Sequence, residues 1–497
     1  MKKHILKALA IFCAIAIPGT AMAQNFNAEF EEFRKKRDQE FNKFVADRNA
    51  EFNKFREERN KEFAEFLKNS WVKAKPKDKK QPPPQPKPFV PKPTPEDKQD
   101  KPTVPQNLPI KEVVTPKPPT PQPKPIVIDK PREEKVQPTI TISGFYGNNI
   151  VLRTSNKVKV SLADNSQKSV ASAWEKMATK ELDPLVYDCQ QARSKYNFCD
   201  WMYFQFLQRV AQQVTGKPAG SNEEALFTGY ILAQSGIDFR FARYGTSLVL
   251  AVPFDTQVYR YQFFNINNKN YYVMRKEIKG DCYLMDKSFS KEATPMVLRM
   301  GSPMKLGNTN SQKKVLASKK YPQMRLEYTT NKALMDFYGS YPRMEWQDYT
   351  LTPTDKATTD KIMATFRPLL AGKSETEAVN MILNFVQTAF TYGYDDEIWG
   401  GDRPFFADET LYYPNSDCED RSILFSQLVR MLTKNDVVLL YYPNHLATAV
   451  RFNSDIQGDY VTVDGRKYLV CDPTGYKPIG NAYDQFKNTQ AKIIKIK

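Results

Sequence analysis

The chain has 497 residues, a formal net charge of +17 at pH 7 and 35 prolines. Its length predicts about three folded units. The basic excess is concentrated in a proline-rich stretch near residues 72–140, so the charge does not indicate a folded basic face and argues against nucleic-acid binding. Six cysteines are too few for a disulfide scaffold in a chain of this length.

Residues 1–23 have the pattern of a secretory signal peptide. Lys2, Lys3 and Lys7 precede an apolar run at 8–18, and the sequence AMA at 21–23 is a small-x-small cleavage motif. We expect cleavage after Ala23 and a periplasmic or secreted mature protein. No later stretch approaches the roughly 20 apolar residues that a membrane-spanning helix needs.

Residues 24–71 contain an eleven-residue repeat. Phenylalanine pairs recur at positions 30 and 33, 41 and 44, 52 and 55, and 63 and 66, and charged residues surround them. A period of about 3.67 residues per turn keeps these pairs on one face of a helix. One helix alone cannot bury so narrow a stripe, so the repeat predicts a coiled coil and a homo-oligomer. A helix lying on a membrane surface is the alternative.

Residues 72–140 are rich in proline and lysine. Proline at this density blocks helices and favours polyproline II, which predicts a semi-rigid linker. Roughly 65 residues at about 3.1 Å each would span on the order of 200 Å when fully extended. The lysines also leave weak contact with an anionic envelope polymer open.

From residue 141 the composition is that of a folded α+β protein. Residues 141–290 form one predicted lobe, 291–354 a β-rich connecting region, and 355–497 the last domain. In the last domain the predicted order is helix, helix, strand and hairpin, with the hairpin turning at Asp464-Gly465.

Three residues of the last domain have the order of a cysteine-dependent catalytic triad. Cys418 is predicted at the start of an amphipathic helix, where the helix dipole stabilises a thiolate. His445, the only histidine after the signal peptide, follows 27 residues later, and Asp472 follows after another 27. Cys418 would be the nucleophile, His445 the general base and Asp472 the residue that orients the imidazole.

The blocks SDCEDRSILFSQLVR, NHLATAV and YLVCDPTGY resemble those of the transglutaminase-like superfamily, over roughly the last 130 residues. This resemblance implies a papain-like core in which the cysteine helix packs on an antiparallel sheet that carries the histidine and the aspartate. It implies the same triad of Cys418, His445 and Asp472. The backbone N–H of Cys418 is one plausible oxyanion donor, and Trp399 or Gln387 is a guess for the second.

The remaining cysteines predict neither a metal site nor a cofactor. No short Cys or His pair forms a local chelate, and Cys471 is expected to point into the core because neighbouring strand residues face opposite sides. The mature chain would keep five cysteines, so at least one thiol stays free unless chains cross-link. Pairing of Cys189 with Cys199 stays open.

The lobe at 141–290 has a pattern that parallels the last domain. Aligned by eye, Cys418 corresponds to Gly220, His445 to Ser247 and Asp472 to Arg275. The upstream lobe would then be a degenerate, catalytically inactive copy, and a platform for a substrate or partner.

The sequence therefore predicts an exported cysteine hydrolase of peptide or other amide bonds that acts through a thioester. Transfer of the acyl group to an amine, as in a transglutaminase, is the alternative within the same chemistry. A non-catalytic envelope adaptor is the third reading. It is favoured by the negative charge of Asp417, Glu419 and Asp420 near the thiol, which would oppose thiolate formation unless Arg421 or His445 compensates. The substrate and the oligomer number are not encoded in any motif.

Overall fold

The computed structural model describes residues 35–37, 39, 43, 53–82, 104–117, 138–157, 159–275, 277–307, 312–393, 403–443 and 445–496. The predicted signal peptide and the first two phenylalanine pairs of the repeat lie outside these residues. Residues 59–126 and 130–497 form one compact unit.

The elements are numbered in chain order. The helices are α1 over 53–69, α2 Gln167–Met177, α3 Asp183–Lys195, α4 Asp200–Thr215, α5 Asn222–Gln234, α6 Lys332–Gly339, α7 Trp346–Leu351, α8 Lys356–Leu370, α9 Glu375–Thr388, α10 Ala407–Tyr412, α11 Cys418–Leu432 and α12 Asp484–Lys487. The strands up to residue 290 are β1 Trp71–Ala74, β2 Ile110–Val114, β3 Thr139–Phe145, β4 Asn148–Arg153, β5 Arg240–Tyr244, β6 Ser247–Pro253, β7 Phe263–Ile266, β8 Lys269–Val273 and β9 Cys282–Met285. The later strands are β10 Gln312–Ala317, β11 Arg325–Thr330, β12 Thr391–Tyr392, β13 Asn415–Ser416, β14 Val437–Tyr442, β15 His445–Val450, β16 Tyr460–Val463, β17 Arg466–Cys471 and β18 Ala491–Lys495.

The chain is a mixture of helices and sheets, as predicted. In the upstream lobe the sheet has the order β7-β8-β6-β5-β9-β1, with antiparallel neighbours throughout. In the last domain the sheet has the order β16-β17-β15-β14-β18-β2, antiparallel except for the parallel pair β18 and β2. Helix α5 packs on β6 in the first, and α11 packs on β15 in the second.

The two sheets have the same strand order and the same connections. In each, the helix is followed by a hairpin, a second hairpin and one further strand, and a strand from the proline-rich segment adds to that last strand. The direction of that added strand differs, since β1 runs antiparallel to β9 whereas β2 runs parallel to β18. An internal duplication would produce two sheets with the same strand order, and the two sheets have it.

The linker prediction for residues 72–140 needs correction in two places. Trp71–Ala74 pairs with Cys282–Met285, and Ile110–Val114 pairs with Ala491–Ile494. Both stretches, WVKA and IKEVV, lack proline and carry β-branched residues, so their N–H groups are available for sheet pairing. The segment is thus fixed to both sheets, and a continuous extended spacer is excluded.

The last phenylalanine pair of the repeat does not need a partner chain. Phe63 is buried in the upstream lobe, with ring centroids 4.7 Å from Trp174 and 5.1 Å from Phe289. Leu67 is fully buried, and Asn60 accepts a hydrogen bond from the Trp174 indole at 3.2 Å. The predicted coiled coil therefore does not include this end of α1, where the lobe itself supplies the apolar surface.

The connecting region at 291–354 is less β-rich than predicted. It contains the hairpin of β10 and β11, followed by α6 and α7. The predicted start of the last domain at 355 coincides with the N-cap of α8, where Asp355 accepts the N–H of Ala357. Among the described residues, none of the helices is long and apolar enough to cross a membrane.

Candidate active site

Cys418 is the first residue of α11, the central helix of the last domain. Every residue from Cys418 to Val429 is buried, as expected for a helix enclosed by a sheet and other helices. Asp420 fixes the turn before it: Oδ1 accepts the N–H of Phe405 at 2.8 Å, and Oδ2 accepts the N–H of Asp417 at 3.3 Å. Cys418 therefore lies at a hydrogen-bonded helix N-terminus, as the sequence predicted.

His445 and Asp472 form a buried pair at the same end of the sheet. His445 is the first residue of β15, and Asp472 directly follows β17. His445 Nε2 lies 2.6 Å from Asp472 Oδ2, and both side chains are almost fully buried. Asp472 Oδ1 accepts the N–H of Thr474 at 2.9 Å, so this carboxylate is held from both sides.

An aromatic contact fixes the plane of the imidazole. The His445 ring stacks on Phe486, with centroids 4.9 Å apart and an interplanar angle of 5°. Phe486 lies on the short helix α12 and is itself stacked on Tyr442, the residue paired with His445 in the β14–β15 hairpin. The ring can therefore neither tilt nor turn away from Asp472 without disturbing this stack.

Two buried polar side chains hold the backbone around Asp472. Gln387 Nε2 donates to the carbonyls of Asp472 and Lys477, each at 2.9 Å. Arg421 donates to the carbonyls of Thr474 at 3.0 Å and Phe390 at 3.1 Å. Both donor contacts of Gln387 Nε2 go to backbone carbonyls, which argues against the oxyanion role that the sequence suggested for it. Trp399, the other candidate, lies outside the described residues.

The Cys418 thiol is buried and faces a carboxylate. It is 2% exposed, and Sγ donates a hydrogen bond to Glu419 Oε2 at 3.2 Å. Burial raises the pKa of the thiol well above its usual value, and Glu419 and Asp417 raise it further, while the backbone N–H of Leu446 opposes the shift. Arg421 donates to backbone carbonyls, and the raised pKa keeps the thiol protonated in this state.

The helix start that carries Cys418 contacts the start of the strand that carries His445. The Leu446 N–H that faces the thiol belongs to the residue after His445, and Ser422 Oγ donates to the Leu446 carbonyl at 2.9 Å. The start of α11 is therefore tied to the start of β15. The sequence analysis named Glu419 as a negative charge near the thiol but not as its hydrogen-bond partner. It missed Phe486 as the support of the imidazole, because Phe486 lies outside the three blocks.

A close backbone contact holds the loop that follows Asp472. A Cβ on Gly480 would lie 2.8 Å from Gly458 Cα, and the φ of Gly480 is +75°. Asp459 N–H donates to the Gly480 carbonyl at 2.7 Å, and Gly480 N–H donates to the Val470 carbonyl at 2.7 Å. The two backbone segments can approach this closely only because both residues, Gly458 and Gly480, are glycines.

All five cysteines outside the predicted signal peptide are free thiols. Cys189 and Cys199 are not bonded to each other, which settles the question that their spacing left open. Cys471 is fully buried in the core, as predicted, and burial raises its pKa. Across the described residues, no group of three or more His, Cys, Asp or Glu side chains is placed to hold a metal ion.

The corresponding place in the upstream lobe carries different residues. Ser247 begins β6 and pairs with Tyr244, as His445 begins β15 and pairs with Tyr442. Arg275 follows β8, as Asp472 follows β17, and Gly220 lies just before α5. The alignment made from the sequence therefore agrees with the strand positions, and no thiol or imidazole occupies these three positions.

A comparison of the chain with protein-family models and with curated proteins gave no match.

Proposed function

We propose that residues 355–497 form a papain-like, transglutaminase-like catalytic domain that hydrolyses amide bonds through a thioester on Cys418. The observation that carries the proposal is the buried pair of His445 and Asp472 beside the helix that begins with Cys418. A buried imidazole bonded through Nε2 to a carboxylate presents Nδ1 for proton exchange, which is the arrangement a general base requires.

The reaction would proceed in two steps. His445 accepts the thiol proton, Sγ forms a bond to the amide carbon, and the C–N bond breaks as the imidazolium protonates the leaving amine. Water then attacks the thioester, gives its proton to His445, and releases the carboxylic acid and the Cys418 thiolate, which His445 reprotonates. Asp472 holds the tautomer and stabilises the imidazolium, and the N–H of Cys418 is a donor to the oxyanion.

The state described by the structure is a resting state in this scheme. The thiol points to Glu419, so a change of the Cys418 rotamer toward His445 must precede attack. The raised pKa of the thiol keeps it protonated until that change takes place. Substrate entry would break the bond to Glu419 and pair the thiol with the imidazole.

Acyl transfer to an amine is the second outcome of the same thioester, and a non-catalytic adaptor is the third reading. The adaptor has one observation in its favour, which is the 2% exposure of Cys418. Export through the signal peptide at residues 1–23, oligomerisation through the early repeats and descent of the upstream lobe by duplication are part of the proposal. The matching strand orders of the two sheets support the last of these.

The test uses the mature chain, residues 24–497, because β2 at residues 110–114 completes the sheet of the last domain. The chain is incubated with a peptidyl chloromethyl ketone, and the labelled residue is identified by mass spectrometry. We expect labelling at Cys418 and loss of that labelling in His445→Ala. Cys282→Ala, which removes another buried thiol, is the matched control and should label normally. Equal labelling of Cys418 in wild type and in His445→Ala would favour the non-catalytic adaptor.

A further inference from the structure

Three cavities that share lining residues form a cleft in the upstream lobe. One cavity of about 580 Å³ and one of about 380 Å³ share Gln205, Gln208 and Arg275. A third, of about 20 Å³, leads from Gln208 and Arg275 to Gly220 at the start of α5. This cleft therefore includes Gly220 and Arg275, which align with Cys418 and Asp472, and among the described residues no cysteine lines it.

Arg275 is held in place at the centre of this cleft. Its Nε lies 3.1 Å from Glu224 Oε1, and Glu224 Oε2 accepts the N–H of Gly220 at 2.8 Å and Gln212 Nε2 at 3.2 Å. The φ of Arg275 is +66°, a left-handed backbone conformation that is strained for a non-glycine residue. Backbone strain of this kind is concentrated at functional sites, where the surroundings hold the residue in place.

The walls of the cleft carry an excess of positive charge. Lys79 is paired with Glu277, and Lys332 with Asp336, so these four side chains compensate each other. Arg209 and Arg260 are exposed, and in the described part of the chain neither guanidinium has an acidic partner. A guanidinium presents donors in a fork that matches a carboxylate.

Two further groups await a partner. Gln208, 8% exposed, lines all three cavities, and its side-chain amide makes no hydrogen bond within the part of the chain that the structure describes. Thr228 Oγ1, in the small cavity, is buried and also without a partner among those residues. An amide offers both a donor and an acceptor, as a peptide bond does. Trp201, Phe204 and Tyr261 supply the apolar wall.

We propose that this cleft binds a peptide segment that carries carboxylate groups. Gln208 pairs with a backbone amide of the peptide, Arg209, Arg260 and Arg275 bind its carboxylates, and the aromatic wall covers its side chains. The proposal concerns binding alone and does not depend on Cys418 being a nucleophile.

The experiment measures the fluorescence anisotropy of a fluorescein-labelled octapeptide of alternating alanine and glutamate, titrated with the mature chain carrying Cys418→Ala. A peptide with glutamine in place of glutamate is the ligand control. We expect saturable binding that weakens with salt, and a Kd at least about tenfold higher for the glutamine peptide.

Three variants of that chain locate the site. Arg209→Gln/Arg260→Gln should raise the Kd about tenfold or more. The matched control, Arg325→Gln/Arg466→Gln, removes two exposed arginines elsewhere and should leave the Kd within about twofold. Gln208→Leu should also weaken binding, and melting curves establish that each variant is folded.

Three results would overturn the proposal. The first is an absence of saturable binding, and the second is an equal loss of affinity in the two arginine double variants, which would indicate attraction by net charge alone. The third is an oligogalacturonate bound as tightly as the glutamate peptide and insensitive to Gln208→Leu. That result would assign the cleft to an anionic saccharide instead of a peptide.

Discussion

Replacing Glu419 by glutamine should increase the reactivity of Cys418. The Glu419 carboxylate accepts the hydrogen bond of the thiol at 3.2 Å and is, after burial, the largest cause of the raised thiol pKa. Glutamine keeps the size of the side chain and a hydrogen-bond acceptor, but removes the negative charge that opposes a thiolate. The variant therefore isolates electrostatics from packing.

The expected magnitude follows from the distance. Two unit charges 3.2 Å apart repel each other by about 5 kcal/mol at an effective dielectric constant of about 20. A tenfold change in a protonation equilibrium corresponds to about 1.4 kcal/mol. Loss of even a third of this repulsion, about 1.7 kcal/mol, would therefore increase the thiolate population at pH 7 by nearly twentyfold.

The assay is the rate of Cys418 alkylation by iodoacetamide between pH 6 and 9, followed by peptide mass spectrometry. Only the thiolate reacts, and its population grows with pH, so the wild-type rate should rise across this range. The profile of Glu419→Gln should move to lower pH, whereas Glu327→Gln, which removes an exposed charge on β11, should behave like wild type. Burial slows the alkylation of all three proteins alike. Superimposable profiles for Glu419→Gln and wild type would refute the electrostatic argument.

Four further predictions concern the triad and the fold. Asp472→Asn should keep the melting temperature within a few degrees. It should lower the turnover of any amide substrate by about a hundredfold or more, since the imidazolium loses a buried charge-assisted hydrogen bond. Turnover equal to that of wild type would remove Asp472 from the triad. Gly480→Ala should destabilise the chain in urea by more than Gly372→Ala, because both have φ near +75° but only Gly480 faces a backbone, and equal losses would contradict the close contact. Phe63→Ala should cost about 3–5 kcal/mol of unfolding free energy, and Phe55→Ala, at an exposed position, less than about 0.5 kcal/mol. If this end of α1 formed a coiled coil, Phe63→Ala would instead change the sedimentation coefficient. Burial raises the pKa of Asp408 to about 7, so the folded state keeps a proton that the unfolded state releases near pH 4. The free energy of unfolding should therefore fall as pH rises from about 4 to 7. Asp408→Asn should reduce this dependence of stability on pH in melting curves recorded across the same range.

Several features of this protein could be read from local sequence. The helix that begins at Cys418 follows from an acidic N-terminal turn and an apolar run, and the hairpin at Asp464 and Gly465 follows from its turn residues. The buried position of Cys471 follows from the alternation of faces along a strand. The correspondence of Ser247 with His445, and of Arg275 with Asp472, required only spacing and apolar pattern, because these set the order of elements along the chain.

Other features depend on contacts between residues far apart in the chain, which no local pattern contains. The repeat predicted a partner helix for Phe63, but the lobe at 141–290 buries it against Trp174, since any apolar surface of suitable shape satisfies a phenylalanine. The proline-rich segment was expected to stay extended, yet both sheets have edges that its short proline-free stretches complete. The sequence placed charge near Cys418, but only the fold decided that Glu419 turns toward the thiol while Arg421 turns to backbone carbonyls. Side-chain direction is set by packing and by the buried acceptors that need a hydrogen bond, and neither can be read from local sequence.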